Sequence, residues 1–95
     1  MGDLHERISE LIAAPDRDPE RIDYTLTDGY AHALTLEAER WRLERRLTEL
    51  AHDLRPGDPA EKTIELSEVA RRLDGTAGEL GDLRGRLGEL RKLRC

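Results

Sequence analysis

The chain has 95 residues, of which 39 % are charged and only 3 % aromatic, and its formal net charge is −5. A chain of this length forms one domain, and one layer of helices of that size buries only a thin apolar core. No apolar run is as long as a membrane span or a signal-peptide core, so we expect a cytoplasmic protein. One cysteine excludes an internal disulfide, and the preference for arginine over lysine suggests a GC-rich, bacterial genome.

Two proline-containing breaks divide the chain into three predicted helices. A short helix over 3–14 precedes the first break, and two long helices over 19–54 and 59–94 lie on either side of the second. The long helices are equal in length and are joined by a turn of about five residues. This arrangement predicts a long antiparallel hairpin, because parallel helices would need a longer connection.

An aspartate begins each predicted helix. Asp18 and Asp58 each precede a proline, and we expect them to cap the two long helices, with Pro19 and Pro59 in the first turns. Asp3 is the expected cap of the short helix.

Apolar residues recur in both long helices at alternating steps of four and three, the heptad pattern of a coiled coil. In the second helix the series, here called the seam, is Ile22, Leu26, Gly29, Ala33, Leu36, Arg40, Leu43, Leu47, Leu50 and Leu54. In the third helix it is Leu66, Val69, Leu73, Thr76, Leu80, Leu83, Leu87 and Leu90. A period sustained over this distance argues against a disordered chain.

Folding the hairpin at the second break pairs the two seams layer by layer. The predicted layers are Leu50 with Leu66, Leu47 with Val69, Leu43 with Leu73, Arg40 with Thr76, Leu36 with Leu80, Ala33 with Leu83 and Leu26 with Leu90. One layer is polar and joins Arg40 to Thr76. Either this pair fixes the register of the hairpin, or Arg40 extends its guanidinium to solvent at the edge of the seam.

Acidic residues are concentrated at the start of the chain, with ten acidic and three basic residues in positions 1–39. The hairpin brings the basic end of the third helix beside the acidic start of the second. The residues concerned are Arg84, Arg86, Arg91, Lys92 and Arg94 on one side, and Asp16, Asp18, Glu20 and Asp23 on the other.

The second helix carries another apolar stripe away from the seam, made of Tyr30, Leu34, Ala38 and Trp41. The first helix has an apolar side of its own and is expected to fold back onto the hairpin. Its length lets it reach only about 16 Å along the second helix, to near Tyr30. Leu34 and Trp41 are therefore predicted to remain uncovered.

The third helix contains five glycines, Gly75, Gly78, Gly81, Gly85 and Gly88. Each costs about 1 kcal/mol of helix stability relative to alanine. Either they let another helix or a flat ligand approach the backbone, or they leave the end of the helix loose until it is bound. The register places 75–81 level with 34–41, which predicts a self-complementary contact in a helical-bundle homodimer.

Residues for catalysis or metal binding do not occur at suitable spacings. His5, His32 and His52 lack companions at ligand spacing, and Asp28 with His32 is more typical of a surface interaction. No nucleophile and base can be paired, and no phosphate-binding loop follows a strand. We therefore expect no enzyme activity, cofactor or metal. Glutamates interleave the arginine runs, so a nucleic-acid site is not expected either.

Together these patterns predict an all-α, single-domain protein over 1–95 that acts as an adaptor or regulator by binding proteins. The predicted contact comprises Leu34, Ala38, Trp41, Gly75, Gly78 and Gly81, and its partners are a second copy of the chain and another protein. The alternative is a sensor of a small ligand or nucleotide, bound near Arg40, Thr76 and the glycines.

Overall fold

The computed structural model describes residues 2–14 and 18–94, and its three helices account for all the regular structure in these two ranges. Helix α1 is Gly2–Ala13, α2 is Pro19–Asp53 and α3 is Ala60–Lys92. The predicted bounds differ by at most two residues, which is within the usual uncertainty at helix ends. The molecule is elongated, with extents of 62 × 16 × 16 Å. Part of the first predicted break lies outside the described residues, as does Cys95.

The start of α2 confirms the predicted cap. Asp18 has an extended backbone, and its Oδ1 accepts a hydrogen bond from the backbone N–H of Glu20 at 3.0 Å, with Pro19 in the first turn. The start of α1 differs from the prediction. Because that helix already begins at Gly2, Asp3 lies inside its first turn rather than before it.

The turn between the long helices corrects the second predicted cap. The Asp58 N–H donates to the Arg55 carbonyl at 3.1 Å, and Gly57 has a φ of 87°, a backbone conformation that favours glycine. The carboxylate of Asp58 accepts the Arg55 backbone N–H at 2.6 Å and so closes the same turn. Helix α3 begins after Pro59 without a side-chain cap, so the prediction of Asp58 as its cap is wrong.

Helices α2 and α3 pack along each other in opposite directions. An ion pair joins Asp23, near the start of α2, to Arg94 at 2.6 Å, and another joins Arg46, near the end of α2, to Glu65 at 2.6 Å. The hydrogen bond and charge of Glu65 raise the pKa of Arg46 above its ordinary value. All predicted seam positions are buried or half-buried, as expected for two facing seams.

The predicted charge pairing at the open end of the hairpin is only partly confirmed. Arg94 does bind Asp23, as predicted. Arg84, however, binds Glu37 further along α2, at 2.7 Å. Asp16 lies outside the described residues.

Gly29 makes room for a leucine from the opposite helix. A Cβ atom built on Gly29 would collide with the Leu87 side chain, which is almost fully buried. Gly29 lies three residues after Leu26 on α2, and Leu87 lies three residues before Leu90 on α3. Leu26 and Leu90 were predicted to share a layer. The Gly29–Leu87 contact therefore follows the predicted register.

Helix α1 folds back and packs on both long helices near the open end of the hairpin, as predicted. Arg7 pairs with Asp28 of α2 at 2.9 Å, and Ser9 accepts a hydrogen bond from Arg86 of α3 at 2.9 Å. The shared core contains Leu4, Ile8, Leu11, Ile22, Leu26, Ala33, Leu36, Leu80, Leu83, Leu87 and Leu90. Towards the turn the molecule has only two helices. Several seam residues there are half-buried, namely Leu47, Leu50, Leu54, Leu66 and Leu73.

Alanine substitutions at Gly29 and Gly75 test the close contact in the seam. Gly75→Ala should raise the free energy of unfolding by about 1 kcal/mol, because its Cβ meets open space and helix propensity improves. Gly29→Ala should lower it by about 1 kcal/mol, because overpacking against buried Leu87 costs about 1–3 kcal/mol and outweighs that gain. Urea unfolding measures both values. Equal stabilisation by the two changes would contradict the Gly29–Leu87 contact.

Candidate protein contact face

Two large apolar side chains on α2 are exposed on the same side of the helix. Leu34 is 72 % exposed and Trp41 is 60 % exposed, while Ala38 between them is half-buried. A shallow depression of about 340 Å³ beside the indole is lined by Ala38, Trp41, Arg42 and Arg45. Both large side chains are uncovered, as predicted, but Tyr30, which α1 was expected to reach, is also 42 % exposed.

Helix α1 lies on the other side of α2. Asp28 faces α1 through its ion pair with Arg7. At about 100° per residue, Asp28 and Trp41 are separated by about 140° around the axis of α2. Helix α1 therefore cannot cover the side of α2 that carries Leu34 and Trp41.

The five glycines of α3 face open space. A Cβ atom added at any of Gly75, Gly78, Gly81, Gly85 or Gly88 would meet nothing within 4 Å. Gly29 shows the opposite case, in which glycine is needed for packing inside the chain. The fold of a single chain thus gives no reason for glycine at the five α3 positions.

The ion pair between Glu37 and Arg84 crosses from α2 to α3 on the side away from α1. Around α2, Glu37 is about 40° from Trp41, and around α3, Arg84 is about 60° from Gly81. The exposed apolar residues of α2 and Gly81 therefore border the same side of the hairpin.

We call this side the open face and define it by Leu34, Ala38 and Trp41 on α2 with Gly81 on α3. The register places Ala38 level with Gly78. Gly78 and Gly75, also predicted to belong to this contact, are about 60° and 120° from Gly81 around α3, and Gly75 is only about 20° from Arg86, on the side of α1.

A charge cluster lies in the groove between the two helices on the open face. Glu37 is only 9 % exposed, and its two carboxylate oxygens accept hydrogen bonds from Arg40 at 2.6 Å and Arg84 at 2.7 Å. Arg40 also lies 3.7 Å from Glu44. Two carboxylates thus balance two guanidinium groups. The cluster has no net charge when all four groups are ionised.

The predicted layer of Arg40 and Thr76 is only partly formed. Thr76 is buried in the seam. The guanidinium of Arg40 turns to Glu37 at the edge of the seam, which favours the interpretation that Arg40 extends outward. Sequence reasoning missed Glu37, although its position three residues before Arg40 on a helix is a recognisable pairing distance.

Asp28 and His32, the histidine pair suggested by the sequence, are not paired. Asp28 binds Arg7, and the buried Nε2 of His32 lacks a hydrogen-bond partner in the described part of the chain. Among the residues that the structure describes, no cluster of histidine, cysteine and carboxylate side chains is arranged to hold a metal ion. None of the described helices combines the length and apolar character needed to cross a membrane.

Comparison of the chain with family models, curated proteins and solved structures gave no match.

Replacing Glu37 tests the charge cluster. Glu37→Gln leaves Arg40 and Arg84 without their shared carboxylate, so we expect a loss of about 1–3 kcal/mol in the free energy of unfolding. The control is Glu44→Gln, whose carboxylate is half exposed and is farther from Arg40, and it should change stability by less than about 0.5 kcal/mol. Urea unfolding compares the two, and equal losses would show that Glu37 has no special role.

Proposed function

We propose that this protein is a non-catalytic, helical protein-interaction module, an adaptor or regulator, and that it forms a homodimer through the open face. The exposure of Leu34 and Trp41 on one side of α2 is the observation that carries the proposal. Clustered apolar side chains on the surface of a small protein commonly mark a binding site. Tryptophan is also one of the residue types enriched among the side chains that contribute most of the binding energy at the centre of a protein interface.

A second copy is the occupant that best fits the shape of the molecule. Helix α1 supplies another layer of helix only on one side and only near the open end. Two hairpins that meet through their open faces would form a four-helix core, with the two seams packed as coiled coils. The hairpin is 62 Å long and 16 Å wide, which provides room for the roughly 800 Å² that each partner buries in a stable complex.

The end of the hairpin near the turn remains available to a different protein in this proposal. Leu47, Leu50, Leu66 and Leu73 are only half-buried there, because α1 does not extend that far. A dimer with two such ends has the form expected of an adaptor.

The alternative is a sensor that binds a small anion or nucleotide near Arg40. The buried Nε of Arg40 lacks a hydrogen-bond partner among the described residues, which favours this function. Against it, Glu37 and Glu44 already lie beside the guanidinium and would repel an anion. A rise in the melting temperature with a nucleotide would support the sensor.

Trp41→Ala should weaken the dimer. Loss of a central aromatic side chain typically costs about 2 kcal/mol or more, which is about a thirtyfold increase in the dissociation constant. Sedimentation velocity over a dilution series measures the mass. In the wild type, dissociation should shift the fluorescence emission maximum of Trp41 to longer wavelength, because the indole becomes exposed to water.

Tyr24→Ala is the matched control, because Tyr24 is exposed on α2 but lies about 100° from Trp41 around the helix. It should leave the dissociation constant unchanged. A wild type that stays monomeric at every concentration, with constant red-shifted emission, would exclude self-association.

A further inference from the structure

We propose that the two copies dock with α2 of each against α3 of the other, about a two-fold axis that runs along the hairpin, and that Arg45 pairs with Asp74 across the contact. This inference depends on the proposed homodimer and adds its orientation and its charge pairing.

At the open face, most outward side chains of α2 are bulky and most outward side chains of α3 are small. On α2, the outward series at steps of four, three and four is Leu34, Ala38, Trp41 and Arg45, and three of its four members are large. On α3, the outward series at steps of four, three and four is Ala70, Asp74, Ala77 and Gly81, and all of its members are exposed. Three of these four α3 residues are alanine or glycine. A contact of α2 with α3 therefore sets large side chains against small ones.

This separation selects one orientation of the two-fold axis. A two-fold axis parallel to the hairpin places α2 of one copy on α3 of the other. Each residue of the second copy then lies at the same position along the hairpin as in the first copy. Trp41 then lies near Ala77 and Gly78 of the second copy, within about one helical turn. An axis across the hairpin would set α2 against α2, with bulky side chains facing each other.

Two charges at the outer edge of the open face agree with the same orientation. Arg45 and Asp74 are both exposed, and neither forms an ion pair within the described residues. In the docked pair, Asp74 of one copy lies about 5 Å along the axis from the level of Arg45 of the other, which is within the reach of an arginine. Arg71 is level with Arg45 but lies about 60° further around α3, towards the outside. Two equivalent Arg45–Asp74 pairs result.

Charge reversal with mixing tests the pairing. Arg45→Asp alone and Asp74→Arg alone each place like charges at both contacts, so each should raise the dissociation constant at least about tenfold. An equimolar mixture of the two variants should form a heterodimer, because one contact is then native and the other is reversed but still attractive. Sedimentation velocity with one variant fluorescently labelled detects this species. The double variant R45D/D74R should dimerise like the wild type.

Arg72→Asp is the matched control, since Arg72 is also exposed and without an ion pair among the described residues but lies about 160° from Asp74 around α3. It should leave the dissociation constant within about twofold of the wild type. A monomeric wild type would overturn the proposed function as well as this inference. A dimeric wild type with equal effects of Arg72→Asp and Arg45→Asp, or a mixture without heterodimer, would overturn only the docking described here.

Discussion

The packing of α3 leucines into the seam of α2 determines every other surface of this protein. A slip of one residue would rotate the following side chains by about 100° around their helix. It would separate Glu37 from Arg84 and turn Trp41 towards a different neighbour. Gly29 helps to hold the register, because a Cβ atom at that position would displace the buried Leu87 side chain. The exposed and buried sides of both long helices therefore follow from one set of apolar contacts.

The second constraint is the short length of α1. With 12 residues it reaches only part of the 35-residue α2, and its pairs with Asp28 and Arg86 hold it on one side. The end near the turn consequently has a thinner core, and the opposite side carries exposed Leu34 and Trp41. The α3 glycines lower helix stability without improving the packing of the chain on itself. A contact from outside the chain would account for both features.

Much of the fold follows from local sequence patterns. Apolar periodicity predicts the two seams and their register. The length of α1 does not predict the exposure of Tyr30, because that depends on which side of α2 the helix packs against. The role of Asp58 was not predictable in this way, because the same aspartate can cap a helix or close a turn, and the backbone at Gly57 decides between them. Glu37 was missed because one of its partners, Arg84, is 47 residues away. A glutamate beside a seam is usually solvated, so only the tertiary structure identifies it as buried.

The distance between the two hairpin turns of a dimer tests the central claim most directly. A single spin label at Pro56→Cys, in a Cys95→Ser background, reports this distance by pulsed electron paramagnetic resonance. An axis along the hairpin places the two turns side by side, so the labels should be about 20–30 Å apart, as expected across two layers of helices. A distance approaching the 62 Å length of the molecule would contradict the proposed orientation. The absence of any distance peak would contradict the dimer itself.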